Sequence, residues 1–491
     1  MHHNPAVFER PPARRCSTGA LAIIASLLVP GLSSGIAPAS AFEAPQAGAL
    51  PPNIRSVFSP DQTNQYVMTV EAAMARAQAA HGAIPKTAAD EITRKADVKY
   101  VPREELEKER AIVQHRMVAL LNVWRRQMEP DARQFLHFGA TTVDIYDTAL
   151  TLQLLRSTQL IVDDLRDIEE ILIGLARSGK EAVMAGRTLG QHALPITFGK
   201  KVSTWIGENR RNIERIKALR AELRRCAILK GAVGTYAGLG DRANEIEKTF
   251  AKELGLAQPY PDDWHGTRDV FASYALTLSL ISKSFARIGQ EIFLLQMTDI
   301  GEAAEPRDPT SISSSSLAQK TNPSKSEALI HAGRVIPRLA EVILDDVVNV
   351  FERDNTSAPT VVIEDLSIRT ETNLEAAKLL LSRLDINRGR MRDNLGRSKG
   401  LIMAQRVVFA LAAQIGMEEA DKRIHEIVRE MAQSDADFRS ALLADAEVSK
   451  VLSPADIDKL LQPQGYTGLS GQQVEDVISQ AEALRATDKT E

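Results

Sequence analysis

Cysteine is nearly absent from this 491-residue chain: Cys16 and Cys226 are the only two. That excludes a disulfide-stapled scaffold and a cysteine-ligated zinc module. Aromatic residues are scarce too, at 5%, against abundant Ala, Leu, Glu and Arg, a balance that favours helices over sandwiches or barrels. Neither sign of charge dominates. A formal net charge of −4 offers no electrostatic footprint for nucleic acid or for an anionic membrane. A hydrophobic fraction of 44% removes the collagen-like, disordered and multi-span membrane readings. The chain is too long for one ordinary core, which calls for two or three domains or one long helical scaffold.

The first 41 residues differ from the rest. Arg10, Arg14 and Arg15 precede an apolar run from Gly19 to Leu32, and small residues follow up to Ala39-Ser40-Ala41. That order of positive, apolar and small residues reads as a secretory signal cleaved before Phe42, which would send the protein to the periplasm or outside the cell. The run is too short to span a membrane well, and Pro30 interrupts it. A mis-called start codon is the other reading of residues 1–41, and it would leave the protein cytoplasmic.

Helical text begins at Tyr66, where Val67, Val70, Ala73 and Ala77 recur at spacings of three and four. The clearest stretch is Val270 to Thr298. There Val270, Tyr274, Leu278, Ile281, Phe285, Ile288, Ile292 and Leu295 form a coiled-coil-like seam, and further apolar residues lie off it. A helix so apolar must be surrounded by others, from its own subunit or from partners. Ile145–Ala176, Phe198–Leu229 and Glu327–Phe351 look similar in length, the last with Pro337 expected to kink it or shift its packing. The expectation is all-α: a small helical domain over 42–145, a central bundle of very long antiparallel helices over 146–390, and a second small helical domain over 391–491.

Polar loops fall at about 127–144, 179–195, 258–268 and 304–325, and three polar segments interrupt the helical text with chemistry-bearing residues. In His137-Phe138-Gly139-Ala140-Thr141-Thr142-Val143-Asp144 the hydroxyls and Asp144 suit a helix start, or a carboxylate-binding nest at a helix N-terminus. In Gly186-Arg187-Thr188-Leu189-Gly190-Gln191-His192 the breakers around Gln191 and His192 point to a strand-like or loop conformation that exposes them; His192 could equally be a satisfied structural histidine. The third segment, Ser311 to Pro323, has the composition of a linker. Yet it delivers Lys320, Asn322 and Pro323 directly into a strong helix, as a lid over an anion would.

Together these segments resemble the aspartase/fumarase superfamily, which includes argininosuccinate lyase, adenylosuccinate lyase and carboxymuconate cycloisomerase. Its signature loop G-S-S-x-M-P-x-K-x-N-P is similar to Ser313–Pro323, where Ser314, Ser315, Lys320, Asn322 and Pro323 keep the pattern while Ser313, Leu317 and Ala318 depart from it. H-x-G-A-T-[ST]-x-D is matched by His137–Asp144, and G-R-T-H by Gly186-Arg187-Thr188 with Leu189 in place of the histidine. Trp264–Asp269 and the Gly465 turn resemble the cycloisomerase, and His115 resembles a histidine of the adenylosuccinate lyases. The serines that hold a nucleotide phosphate in those lyases are only partly matched by Asn355–Ser357, and Glu364 and Asp365 would repel a phosphate.

The resemblance implies a lyase that removes a proton α to a carboxylate and expels a group from the adjacent carbon, releasing fumarate or an analogous unsaturated acid without metal or organic cofactor. It casts Ser314 as the base, acting as a serinate steadied by Lys320. Thr141 and Asn322 would hold the substrate's carboxylates, with Thr142, Arg187, Thr188, Gln191, Ser315 and His115 lining the site. With the usual histidine replaced by Leu189, His192 and His137 are the candidate acids, or the leaving group needs little help, as in a lactonising cycloisomerase. The resemblance also implies a homotetramer whose active sites are each built from three subunits, and a small di- or tricarboxylate as substrate. Two non-catalytic readings remain beside it: a retired structural protein and an exported dicarboxylate-binding member.

Overall fold

The computed structural model describes residues 50–262, 266–308, 310, 312, 314–354 and 359–488, without the side chains of 359–361. The leader reading of residues 1–41 falls outside the described residues, as do Trp264, His265 and Asn355–Ser357.

The chain is built from helices: α1 Pro60–Ala80, α2 Arg116–Arg125, α3 Thr142–Ser178, α4 Phe198–Leu223, α5 Ala243–Glu253, α6 Asp269–Gln296, α7 Ser324–Asp345, α8 Pro359–Ser382, α9 Ala404–Ile415, α10 Met417–Met431 and α11 Ser470–Asp488, with further helices between. The only strands among the described residues form two small antiparallel pairs. These are β1 Val183–Thr188 with β2 Gln191–Thr197, and β3 Ala303–Ala304 with β4 Asp385–Ile386.

Five long helices, α3, α4, α6, α7 and α8, make the bundle. Each starts or packs for a local reason. The Asp144 carboxylate accepts the Thr141 N–H at 2.9 Å and caps α3. The Thr197 hydroxyl accepts the Lys200 N–H at 3.1 Å and starts α4. The seam expected on α6 is inside: Tyr274, Leu278, Ile281, Phe285, Ile288, Ile292 and Leu295 are all buried. Burying one such side chain contributes about 1.5–3 kcal/mol. Its other face exposes Leu276, Leu280 and Leu294. α6 and α7 approach closely because Gly289 and Gly333 lack side chains; a Cβ on Gly333 would stand 2.4 Å from the Ala286 Cβ. Pro337 lies within α7 without ending it, and the carbonyl its ring crowds belongs to Gly333.

Two expected helices stop early. α4 ends at Leu223, and the apolar run Cys226–Leu229 is buried but non-helical: the Ile228 N–H donates to the Thr148 hydroxyl at 3.1 Å and the Thr151 hydroxyl to the Cys226 carbonyl at 3.4 Å. α7 runs from Ser324 to Asp345, three residues earlier at its start than expected and short of Phe351, which turns out at φ 56°.

A second, smaller core gathers Val407, Leu411, Ile424, Ile427, Phe438, Leu442 and Ile457 around α9 and α10. From there α11 returns along α3 and α4. Asp488 meets Arg210 at 2.6 Å and Lys217 at 2.6 Å, and Arg485 meets Glu169 at 3.1 Å.

Candidate active site

The three chemistry-bearing segments do not lie together within one chain. α3 has 37 residues, roughly 55 Å at 1.5 Å per residue. His137, Thr141 and Thr142 stand at its start, whereas β1 and β2, with Arg187, Thr188, Gln191 and His192, follow its end. An Arg268–Asp147 ion pair at 2.7 Å sets the start of α6 beside the start of α3, and Lys201–Glu291 at 2.6 Å sets its far part beside the start of α4. The serine-rich loop after α6 therefore belongs to the same end as the β1–β2 hairpin. The described side chains thus divide into two half-sites at opposite ends of the bundle.

At the first end, His137 (φ 64°) and Gly139 (φ 75°) shape a tight turn before α3. A Cβ on Gly139 would lie 2.6 Å from the Gly238 carbonyl, so the backbone closes against the glycine-rich turn over 231–240. Asp144 fastens that turn: besides the Thr141 N–H, it accepts those of Lys230 at 3.0 Å and Gly231 at 3.1 Å. Lys230 is itself buried, donating to Tyr236 at 2.6 Å and to Glu247 of α5 at 3.0 Å. The turn bears its own neighbour from α1. His137 Nδ1 lies 2.6 Å from Oε1 of Glu71, which is fully buried, and Gln78 one heptad on donates to the Phe138 carbonyl at 2.7 Å. Burial pulls the imidazole's pKa down, but the Glu71 hydrogen bond and charge outweigh it and hold it above the ordinary value. His115 sits nearby as an exposed cap of α2, accepting the Val118 N–H at 3.3 Å.

At the second end, Thr188 and Gln191 pair across a two-residue turn, Leu189-Gly190, with φ 51° and 77°. Both positive angles suit the twist of a hairpin, and the arrangement holds Leu189 fully exposed at the tip. Arg187, expected to line the site, spends its guanidinium on a two-pronged ion pair with buried Glu302, at 2.7 and 2.8 Å, and Asn394 donates to the same carboxylate at 2.7 Å. His192 is half-buried, and burial together with the Arg187 charge lowers its pKa, so it favours the neutral form. In the loop, the Leu317 N–H donates to the Ser314 hydroxyl oxygen at 3.1 Å, and Lys320 donates its N–H to the Leu317 carbonyl at 3.0 Å. Ser315 and Lys320 are exposed and Asn322 half-buried; Ser311 and Ser313 lie outside the described residues.

Each of these segments also exposes a large apolar side chain: Phe138, Leu189, Val233 of the glycine-rich turn, Ile312 and Leu317. Sequence reasoning missed Glu71, Lys230, Glu247 and Asn394. Glu71 had left a signal, since it lies four residues after Val67 on the very stripe expected to be apolar.

A bundle of five long helices with a serine loop at one end and a threonine-bearing turn at the other is the architecture of a cofactor-independent lyase. Residues 51–337 match the lyase family and residues 400–477 the adenylosuccinate lyase C-terminus. The chain is 35% identical to adenylosuccinate lyase of Methanocaldococcus jannaschii over 87% of its own length and 93% of the relative's. It is 31% identical to N-acetyl-S-(2-succino)cysteine lyase of Dickeya dadantii, covering 88% and 95%. The solved 3-carboxy-cis,cis-muconate lactonizing enzyme of Pseudomonas putida superposes with a TM-score of 0.81 at 28% identity, covering 88% and 97%. The chain belongs to the aspartase/fumarase superfamily, in the branch that holds adenylosuccinate lyase and carboxymuconate cycloisomerase, and it is a lyase.

Proposed function

We propose that the chain catalyses β-elimination on a substituted succinate, with Ser314 removing the proton α to a carboxylate and fumarate or an analogous unsaturated acid leaving. The observation that carries this reading is the Leu317 N–H aimed at the Ser314 oxygen. A free serine is a poor acid; a backbone donor on its oxygen and the Lys320 charge on the same loop both favour the serinate. Thr141, Thr142 and Asn322 hold the substrate's carboxylates, and Thr188, Gln191 and Ser315 line the site.

The site is assembled between copies of the chain, and a homotetramer provides the needed ends. Two features support this: the two half-sites lie far apart in one chain, and the segments that carry them expose apolar side chains of the kind another copy would cover. The substrate is a small di- or tricarboxylate rather than a nucleotide. In support, the serines that would hold a nucleotide phosphate are only partly matched by Asn355-Thr356-Ser357. Leu189 at the hairpin tip favours a leaving group that departs with little protonation, which keeps a lactonising cycloisomerase as the second reading. Residues 1–41 act as an export signal.

The test is fumarate formation, followed by absorbance, over a panel of succinates substituted with amine, thiol and carboxylate leaving groups. Ser314→Ala should lower the rate by about 10²–10⁴-fold, the usual loss for a general base. A variant that keeps more than about a tenth of the wild-type rate would remove Ser314 from that role.

A further inference from the structure

We infer that His137, held by Glu71, is the acid that protonates the leaving group, and that Glu71 is a positioning residue for the reaction. The inference rests on the elimination reading above and names the acid that Leu189 cannot supply.

The geometry is that of a directed imidazole. Nδ1 faces the Glu71 carboxylate at 2.6 Å, which fixes the ring and leaves Nε2 with no hydrogen-bond partner among the described residues. The His137 side chain is 17% exposed and Glu71 0%, so the pair is closed on one side and open on the other. Backbone and side chains around it are braced. Arg125 donates to the Leu136 carbonyl at 3.0 Å, Gln78 to that of Phe138, and the residue itself is held at φ 64°. Glu71 Oε2 is buried without a partner among the described residues. A buried acceptor left unpaired destabilises the fold by about 1–3 kcal/mol, so packing alone gives no reason to retain a carboxylate there. The charged groups that reach the ring are Glu71 from α1, Arg125 from α2 and Asp144 from α3; the two carboxylates favour imidazolium and the guanidinium opposes it. The other candidate, His192, is shifted the opposite way, by burial and then by the Arg187 charge, towards the neutral form.

Ser314 takes the proton from the carbon α to the carboxylate, and the electron pair of that bond forms the double bond as the adjacent carbon releases its substituent. The substituent keeps the electrons of the broken bond and takes the proton from His137 Nε2. Neutral imidazole and neutral serine then reset by proton exchange with water.

The experiment is kcat/KM against pH for wild type, Glu71→Gln, Glu71→Asp and His137→Gln, on one substrate with an amine leaving group and one with a carboxylate. A protonated acid is lost as pH rises through its pKa, so wild-type activity on the amine substrate should fall on the alkaline side. Glu71→Gln removes the carboxylate that raises this pKa, and should move that limb down by about one pH unit or more. Glu71→Asp should restore part of the shift. His137→Gln should lower the amine rate by about 10²-fold or more and spare the carboxylate substrate by comparison. Equal losses on both substrates with unmoved limbs would reduce the pair to a structural contact and overturn the inference. If Glu71→Gln does not fold, His137→Gln decides alone: an amine rate within threefold of wild type overturns it. No turnover of any succinate by wild type would instead refute the elimination reading itself.

Discussion

Glu302 is the member of the hairpin cluster whose loss is best defined. Its carboxylate is fully buried and takes two guanidinium bonds from Arg187 and one amide bond from Asn394. Glu302→Ala removes all three and leaves Arg187 facing the hole. Removing one partner of a buried ion pair destabilises by about 3–5 kcal/mol. Arg187 is 19% exposed, so water reaches one side of it and the lower end, about 3 kcal/mol, applies. Unfolding entropy of about 2.1 cal/mol/K per residue over roughly 440 residues is about 0.9 kcal/mol/K, so the melting temperature should fall by about 3 °C. The double variant Arg187→Met/Glu302→Leu removes both charges and keeps the volume; it should lose about 1 °C, chiefly the Asn394 bond, because apolar replacement of a whole pair is close to neutral. Calorimetry of the three proteins at one concentration measures this, since an assembling protein melts at a concentration-dependent temperature. A double variant that melts no higher than Glu302→Ala refutes the argument that the stranded charge, rather than lost contacts, is what destabilises.

Leu189→His places an imidazole at the hairpin tip, where the left-handed backbone tolerates histidine better than leucine. Melting should be unchanged within about 1 °C, and turnover of amine-leaving succinates should rise with a pH optimum near 6.5, the unperturbed histidine value. No gain on any amine substrate would show that the tip stays away from the leaving group. Adenylosuccinate should be used with a kcat/KM at least tenfold below that of the best small succinate; parity between them would defeat the assignment of a phosphate-free substrate. Burial pushes the Cys226 thiol up to about 12, so thiolate is scarce at pH 8 and labelling of the peptide that carries it should track unfolding. Complete labelling of the native protein within minutes would contradict the closed packing around Cys226–Leu229.

Periodicity carried most of the fold. The α6 seam and the starts of α3 and α4 are local signals: apolar spacing, a Thr-x-x-Asp cap and a Thr cap. The ends were less legible. Cys226-Ala227-Ile228-Leu229 is a continuous apolar run, which helix and extended core write identically, and what decides between them is Thr148 and Thr151, some 75–80 residues away. The site shows the same division. Ser314, Lys320, His137 and His192 were visible because small and hydroxyl residues interrupted helical text around them. Glu71, Glu302 and Asn394 stand 66, 115 and 92 residues from His137, Arg187 and Glu302, the groups they hold. Spacing along a chain reports nothing about contacts at that range. The resemblance implied Arg187 as a residue lining the site, and the fold pairs it with Glu302; an arginine reads the same in either role.

The return of α11 along α3 and α4 has a consequence for synthesis. Glu169 and Arg210 form their buried pair on two adjacent helices, yet Arg485 and Asp488, which complete it, are made about 300 residues later. At 5–20 residues per second the ribosome needs roughly 15–60 s to cover that distance. Throughout that interval Glu169 has Arg210 but not Arg485, and Arg210 has Glu169 and Glu214 but not Asp488. The contacts of α11 with α3 and α4 therefore cannot form until the C-terminal residues have left the ribosome.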